Sequence, residues 1–302
     1  MGKIYNVTVL MSTYNGGKYI REQIDSILNQ KGVHVRLIVR DDGSKDETLS
    51  ILEEYKSNDK LLYYTGKNLG PQYSFMHLLQ NAEADDYYAF ADQDDVWLED
   101  KLYVAVSMLE NHNEGPALYF SQTQLVDSDL NKIDNVVISP FLTLGESLIY
   151  ACASGCTMVF NNKLKNIVTG KKLPPKMPMH DIWLVLTNMA VGGYTHFDTV
   201  PHILYRQHGD NEVGLGHGFM YMLKLRMSNF LSRGNVRYTQ ALNVYNTYKE
   251  EIPQANKALL FKFIEGKKSF VKRISIIFDK KYRCSDKTTQ FLFWINVLFN
   301  KY

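Results

Sequence analysis

The 302-residue chain is short of the features that mark secreted, membrane-spanning or metal-knuckle proteins. It holds three cysteines, Cys152, Cys156 and Cys284. Their number and spacing make neither a disulfide framework nor a zinc site, which fits a reducing cytoplasm. No run of about eighteen apolar residues occurs, so no segment reads as a spanning helix. The start, Met1 to Leu10, shows no long apolar leader and runs directly into a strand pattern. A myristoylation reading of Gly2 fails, because Asn6 stands where Ser or Thr is required. Repeats and low-complexity tracts are absent.

What is present is ordinary for a globular core: 45% hydrophobic and 22% charged residues, with 20 Tyr and 15 Phe. The length allows one large domain or two small ones. A net charge of +2 hides an asymmetry. Residues 216–302 carry 16 Lys/Arg against 5 Asp/Glu, a net +11, whereas residues 1–215 are net −9. Opposite charge blocks point to separate jobs. We therefore expect a body over 1–215 and a basic, aromatic-rich helical extension over 216–302.

Along the body, Val7–Met11 reads as a strand, 18–30 as a helix with apolar residues at helical spacing, and Val33–Val39 as a second strand. Ser44 and Glu47 have the spacing of a capping box for a helix through Tyr55. Leu61–Thr65 is a third strand, a helix follows to about Ala82, and a fourth strand ends at Ala91. This alternation argues for a mainly parallel sheet flanked by helices. Further on, Leu118–Ser121, Thr123–Val126, Gly155–Phe160 and Thr195–Tyr205 read as strands, and His180–Ala190 as a helix.

The most informative stretch is Phe90-Ala91-Asp92-Gln93-Asp94-Asp95-Val96-Trp97. Acids crowded at the end of a buried strand repel each other unless a cation offsets them, and a hard divalent cation held by few carboxylates leaves positions for phosphate. The competing reading is a solvated turn that caps a helix starting near Trp97. Loops after the first, second and fourth strands, Ser12–Tyr14, Asp41–Ser44 and Asp92–Asp95, fall at the strand edge where such sheets bind ligands.

Four blocks in order resemble the family 2 inverting glycosyltransferases of GT-A, nucleotide-diphospho-sugar transferase fold: Ser12-Thr13-Tyr14-Asn15, Asp41-Asp42-Gly43-Ser44, Asp92-Gln93-Asp94-Asp95 and His180-Asp181. The resemblance covers about residues 5–210. The forms Ala91-Asp92-Gln93-Asp94-Asp95-Val96-Trp97, His180-Asp181-Ile182-Trp183 and Tyr205-Arg206-Gln207-His208-Gly209 resemble bacterial rhamnosyltransferases of cell-wall and capsular polysaccharide. The resemblance implies a dTDP- or UDP-sugar donor. Asp42, with Asp41 beside it, would accept from the ring N–H of uracil or thymine, and Ser12 and Tyr14 would contact base and ribose. Asp94 would bind Mg²⁺ or Mn²⁺ directly, Asp92 would hold ribose or act through water, and Asp95 would cap a helix. Asp181 would be the general base, with N-capping as its alternative role. Arg206 would pair with the diphosphate, and His208 would be a further metal ligand. Asn68 and Gly70 would border the donor, and His180, Trp183 and Gly155 would lie on the acceptor side, although core packing suits Trp183 equally.

The extension interleaves ten Lys/Arg with aromatic and aliphatic residues over 257–287 and ends in the apolar run Phe291–Phe299. That run is too short to span a bilayer and suits an interfacial or docked helix. Each basic residue near anionic lipid contributes about 1 kcal/mol. The expected partners are the inner face of the cytoplasmic membrane and a polyprenyl-diphosphate-linked saccharide acceptor, with a helical cap or homodimer interface as alternatives. No nucleic-acid module accompanies the charge. Two other classes stay open: a nucleotidyltransferase, disfavoured by the single basic residue in Tyr14-Asn15-Gly16-Gly17-Lys18, and a non-catalytic binding protein.

Overall fold

Strand β1 (Tyr5–Thr13) is apolar on consecutive positions rather than alternate ones, the pattern of a strand covered on both faces. It forms the centre of a seven-stranded sheet in the computed structural model, which describes residues 3–133, 142–151, 153–207 and 235–302. β2 (Val33–Asp41), β3 (Leu62–Thr65) and β4 (Tyr87–Ala91) join it in the order β3-β2-β1-β4, all parallel. Helices α1 (Ile20–Leu28), α2 (Thr48–Ser57) and α3 (Pro71–Asn81) make the crossovers. Beyond β4 the sheet changes sense: β8 (Val159–Asn161) is antiparallel to both β4 and β6 (Ala117–Ser121), and β9 (Tyr194–Asp198) closes the edge parallel to β6. A small second sheet, β5 (Val96–Trp97), β10 (Ile203–Arg206) and β7 (Gln124–Val126), lies over the carboxyl end of β4. The connecting helices are α4 (Lys101–Leu109), α5 (Leu144–Ile149), α6 (Asn162–Thr169) and α7 (His180–Ala190).

Strand alternation divides the core in two. Val7, Val9, Met11, Tyr87 and Ala89 face α1, α2 and α4, while Leu10, Tyr88 and Phe90 face α3, α6 and α7. The second core continues without interruption into the C-terminal helices α8 (Val236–Thr247), α9 (Gln254–Glu265), α10 (Phe270–Phe278) and α11 (Lys287–Leu298). Tyr248, Phe263, Tyr282, Phe293 and Tyr302 are all buried there. Each aromatic of this size contributes about 1.5–3 kcal/mol by leaving water. Their hydroxyls are satisfied: Tyr282 donates to the Leu259 carbonyl at 2.6 Å and Tyr302 to that of Phe263 at 3.0 Å. The boundary expected near residue 215 lies outside the described residues.

Four local expectations are corrected. The Ser44–Glu47 capping box does not form. Ser44 turns its hydroxyl to Asp41, and the Asp46 carboxylate instead takes the Thr48 N–H at 3.1 Å. No helix starts at Trp97; Val96–Trp97 is a strand and α4 begins at Lys101, because Asp95 is fully buried and cannot serve as an exposed cap. Gly155–Thr157 is a 3-10 turn, with only Val159–Asn161 extended. The run Thr195–Tyr205 breaks near Pro201 into β9 and β10, which belong to different sheets.

The seating of the extension is testable at Gly145 in α5, where an added Cβ would lie 1.8 Å from the Lys281 carbonyl oxygen. Gly145→Ala should lower stability by about 1–3 kcal/mol through overpacking. An unchanged urea midpoint would show that the segment around Lys281 does not seat on α5.

Candidate active site

Three loops converge at the carboxyl edge of β1, β2 and β4, and each has its own internal partners. Asp41 is buried, and its carboxylate accepts from Gly43 N (2.9 Å), Ser44 N (3.0 Å) and the Ser44 hydroxyl. It closes the turn that presents Asp42. Asp42 is ion-paired with Arg40 and accepts from the Ser74 hydroxyl at 3.0 Å and Leu69 N at 2.8 Å. Ser12 donates to Ser74 Oγ at 2.6 Å. Asn68 Oδ1 takes the Gly70 N–H at 2.9 Å, and Gly70, with φ of 72°, turns the chain into α3. Tyr14 is exposed beside this group. The structure thus brings Ser12, Tyr14, Asp41, Asp42, Asn68 and Gly70 to one edge.

The acid turn is held from two sides. Gln93 Oε1 accepts from Thr13 Oγ1 at 2.6 Å and Tyr14 N at 2.8 Å, tying the turn to the loop after β1. Asp92 and Asp94 are half-buried, and Asp95 is wholly buried with Oδ1 accepting from Arg206 N at 3.2 Å. Its Oδ2 has no hydrogen-bond partner. Burial, then the nearby Asp94 and Asp92 charges, push the Asp95 carboxyl well above the usual carboxylate range. Ligand-type atoms of Asp92, Asp95 and Cys156 all lie within 4.8 Å of one another. Lys101 is buried beneath, its ammonium 3.5 Å from the Trp97 ring centroid, and burial brings its pKa down to about 7. An orphaned buried carboxylate oxygen on Asp95, grouped with Asp92, fits a divalent cation. Oxygen donors of this kind suit Mg²⁺ or Mn²⁺. Cys156 is a small buried residue whose thiol burial pushes well up.

Arg206 does not present the free phosphate fork expected from the sequence. It is 1% exposed, and its guanidinium donates to the Asp94 carbonyl at 2.9 Å, to the Ser128 carbonyl and to Glu22 at 2.6 Å, with Tyr19 stacked 4.4 Å away. It anchors the acid turn. His208 lies outside the described residues.

On the other side, α7 begins at His180, and its N-cap is Met179, so Asp181 stands in the first turn rather than at the cap. The helix dipole favours a carboxylate there, but burial prevails and raises the Asp181 pKa to about 6. Its Oδ1 accepts from Ile182 N at 2.6 Å. His180 is buried, stacks on Phe75 at 4.0 Å and meets Phe90 edge-on at 5.0 Å. Burial holds the imidazole neutral, with its pKa down at about 3. Gly155 is buried against this ring; an added Cβ would sit 2.5 Å from Nε2. Trp183 is not on an acceptor surface: it is 0% exposed in the core, 5.6 Å from the Tyr248 ring.

A mainly parallel sheet with an acid turn at its carboxyl edge, and a helix that packs on β4 through His180 and carries a carboxylate in its first turn, defines a GT-A-type fold. The family model for glycosyl transferase family 2 matches residues 8–163, and the chain belongs to that family. It is 31% identical over 221 residues to dTDP-rhamnosyl transferase RfbG of Shigella flexneri, spanning 69% of this chain and 75% of that protein. It is 30% identical over 166 residues to the putative teichuronic acid biosynthesis glycosyltransferase TuaG of Bacillus subtilis, over 54% of this chain and 59% of that one. Against an uncharacterized glycosyltransferase of Rickettsia felis, at 26% identity, the chain spans 46% of the relative's length. The fold matches that of S. aureus TarS 1-349 with a TM-score of 0.59 over 97% of this chain and 79% of that one, at 16% identity.

Sequence reasoning passed over Arg40, Ser74 and Gln93. A charged residue closing the apolar run Leu37-Ile38-Val39 was the available signal for Arg40; Ser74 carried none. Millimolar Mn²⁺ or Mg²⁺ should raise the melting temperature of the wild-type protein and should fail to do so in Asp92→Asn/Asp94→Asn. An equal shift in both, by differential scanning fluorimetry, would remove the acid turn as the cation site.

Proposed function

We propose that the protein transfers L-rhamnose from dTDP-β-L-rhamnose to a hydroxyl of a growing, polyprenyl-diphosphate-linked cell-wall or capsular saccharide, inverting the anomeric centre. Asp181 carries the chemical part of this reading: a carboxylate in the first turn of α7, with a pKa raised to about 6, is a stronger base than an ordinary aspartate yet ionised at neutral pH. The likeness to a protein named as a dTDP-rhamnosyl transferase supports the donor, and the teichuronic acid relative supports a cell-wall product.

In this reading Asp181 takes the proton of the acceptor hydroxyl while that oxygen bonds to the anomeric carbon. The bond from the anomeric carbon to the diphosphate breaks on the opposite face, the single-displacement logic of inverting glycosidases with a sugar hydroxyl in place of water. Asp94 and Asp92 would hold Mg²⁺ or Mn²⁺, which would supply positive charge for the leaving diphosphate. Asp42 receives the pyrimidine ring N–H, Ser12 and Tyr14 border base and ribose, and Asn68 and Gly70 border the donor. Neutral His180, wedged on Gly155, sets the direction of the first turn of α7. A UDP-hexose is the second donor reading.

We place the protein at the inner face of the cytoplasmic membrane. Among the described residues, the five most exposed large apolar side chains, Val271 (78%), Phe278 (75%), Phe299 (70%), Phe270 (58%) and Phe291 (57%), all fall in or beside α10 and α11. Exposed Lys268, Lys272, Lys280, Lys281 and Lys287 lie in the same stretch of chain, Lys268 and Lys272 of them paired with Glu265, a composition that complements anionic lipid. No described helix is long and apolar enough to cross a membrane.

With dTDP-rhamnose, UDP-sugars and Mn²⁺, nucleoside diphosphate release should be greatest for dTDP-rhamnose; release from UDP-sugars alone would overturn the donor assignment. Activity should fall as pH drops through about 6, where Asp181 gains its proton. Asp181→Asn should cost at least about a hundredfold in kcat. The same substitution should raise the melting temperature at pH 7.5, since an acid whose pKa is raised on folding destabilises the fold once ionised. An acid limb unmoved at ordinary aspartate pH would assign the base elsewhere.

Sedimentation with phosphatidylglycerol vesicles should recover the wild-type protein and lose Val271→Asp/Phe278→Asp. Equal recovery of both would remove the membrane from this surface.

A further inference from the structure

Arg40 lies at the end of β2, 3% exposed, in a strand whose preceding residues are Leu37, Ile38 and Val39. A guanidinium in such a place is costly unless it is paired and its donors are used. Its Nη1 faces Asp42 Oδ1 and donates to Ser74 Oγ at 3.0 Å, and its Nη2 donates to the Lys67 carbonyl at 2.9 Å. Ser74 in turn donates to the same Oδ1 of Asp42 at 3.0 Å, and Leu69 N donates to Oδ2 at 2.8 Å.

An ionised carboxylate offers about four acceptor positions. On Asp42, Ser74 takes one position of Oδ1, the Arg40 guanidinium packed against that same oxygen closes the other, and Leu69 occupies one of Oδ2. One acceptor position is left. We infer that Arg40 is a positioning residue that restricts Asp42 to a single incoming donor, so that the nucleotide site takes pyrimidine bases bearing a ring imide N–H and rejects guanine and cytosine. Uracil and thymine present one N–H between two carbonyls. Guanine presents two neighbouring donors that need both carboxylate oxygens, and Oδ1 has no room for one of them. Cytosine presents a bare ring nitrogen, which a carboxylate repels. This inference rests on the donor-site reading of Asp42 given above. It adds that the selectivity resides behind Asp42, in a residue that touches no substrate.

The test is calorimetric titration of the full chain, in Mn²⁺, with UDP, dTDP, GDP and CDP. Wild type should bind UDP and dTDP at least about tenfold more tightly than GDP or CDP. Arg40→Met should weaken dTDP binding by about tenfold or more and bring the dTDP/GDP ratio towards one. Arg40→Lys should recover part of it, keeping the charge without the planar fork. In turnover the loss should fall on the donor KM more than on kcat. If Arg40→Met does not fold, Ser74→Ala decides, since it frees a position on Oδ1 with the ion pair intact and should narrow the preference over GDP. Wild-type binding of GDP as tight as dTDP overturns the inference, as does a folded Arg40→Met or Ser74→Ala with wild-type affinities. Failure of wild type to bind any of the four would instead overturn the donor-site reading.

Discussion

Three carboxylates packed into one turn repel each other, and the architecture around β4 is arranged to hold them together. Arg206 reaches over from β10 to grip the Asp94 carbonyl with its side chain and the Asp95 carboxylate with its backbone N–H. The same guanidinium is steadied by Glu22 on α1 and by the Tyr19 ring. Gln93 ties the turn's other side to the loop after β1. The turn is thereby held in one shape, and crowded carboxylates already in place are what a hard cation needs in order to bind. The small sheet β5-β10-β7 carries Arg206 to the acid turn.

The four-strand parallel start was legible because each strand is a short apolar run and each helix carries apolar residues at helical spacing. Val7–Met11 and Tyr87–Ala91 are buried on both faces, as continuous runs imply. What the pattern misjudged were places where tertiary contacts decide. Val96–Trp97 is two residues long and becomes a strand only by pairing with Ile203 and Leu204. Thr195–Tyr205 is continuous in propensity, yet its halves serve different sheets. Gly155–Thr157 stays out of the sheet because it carries the turn that meets His180.

The site was legible where chemistry is written in consecutive residues. Asp41-Asp42 and Asp92–Asp95 lie at the strand edge, and His180-Asp181 open the helix that packs on β4 through Phe90. It was least legible where a residue's task depends on a distant partner. A lone arginine reads as a phosphate ligand until Arg206 is seen to be enclosed, and a motif tryptophan reads as a sugar platform until Trp183 is seen in the core. Asp95 is the sharpest case. Local spacing made it a helix cap; enclosure by Arg206, Cys156 and Lys101 makes it the floor of the acid turn.

Helix α3 gives the molecule an unusual economy of distance. Ser74, which touches Asp42, and Phe75, which stacks on the ring of His180, are adjacent residues. The base-recognition carboxylate and the first turn of α7 are therefore gauged against each other by a single peptide unit, not by the loops that separate them in sequence. Substitutions in those loops can reshape what enters the cleft while this internal ruler stays constant. Remodelling within α3 would move both reference marks together.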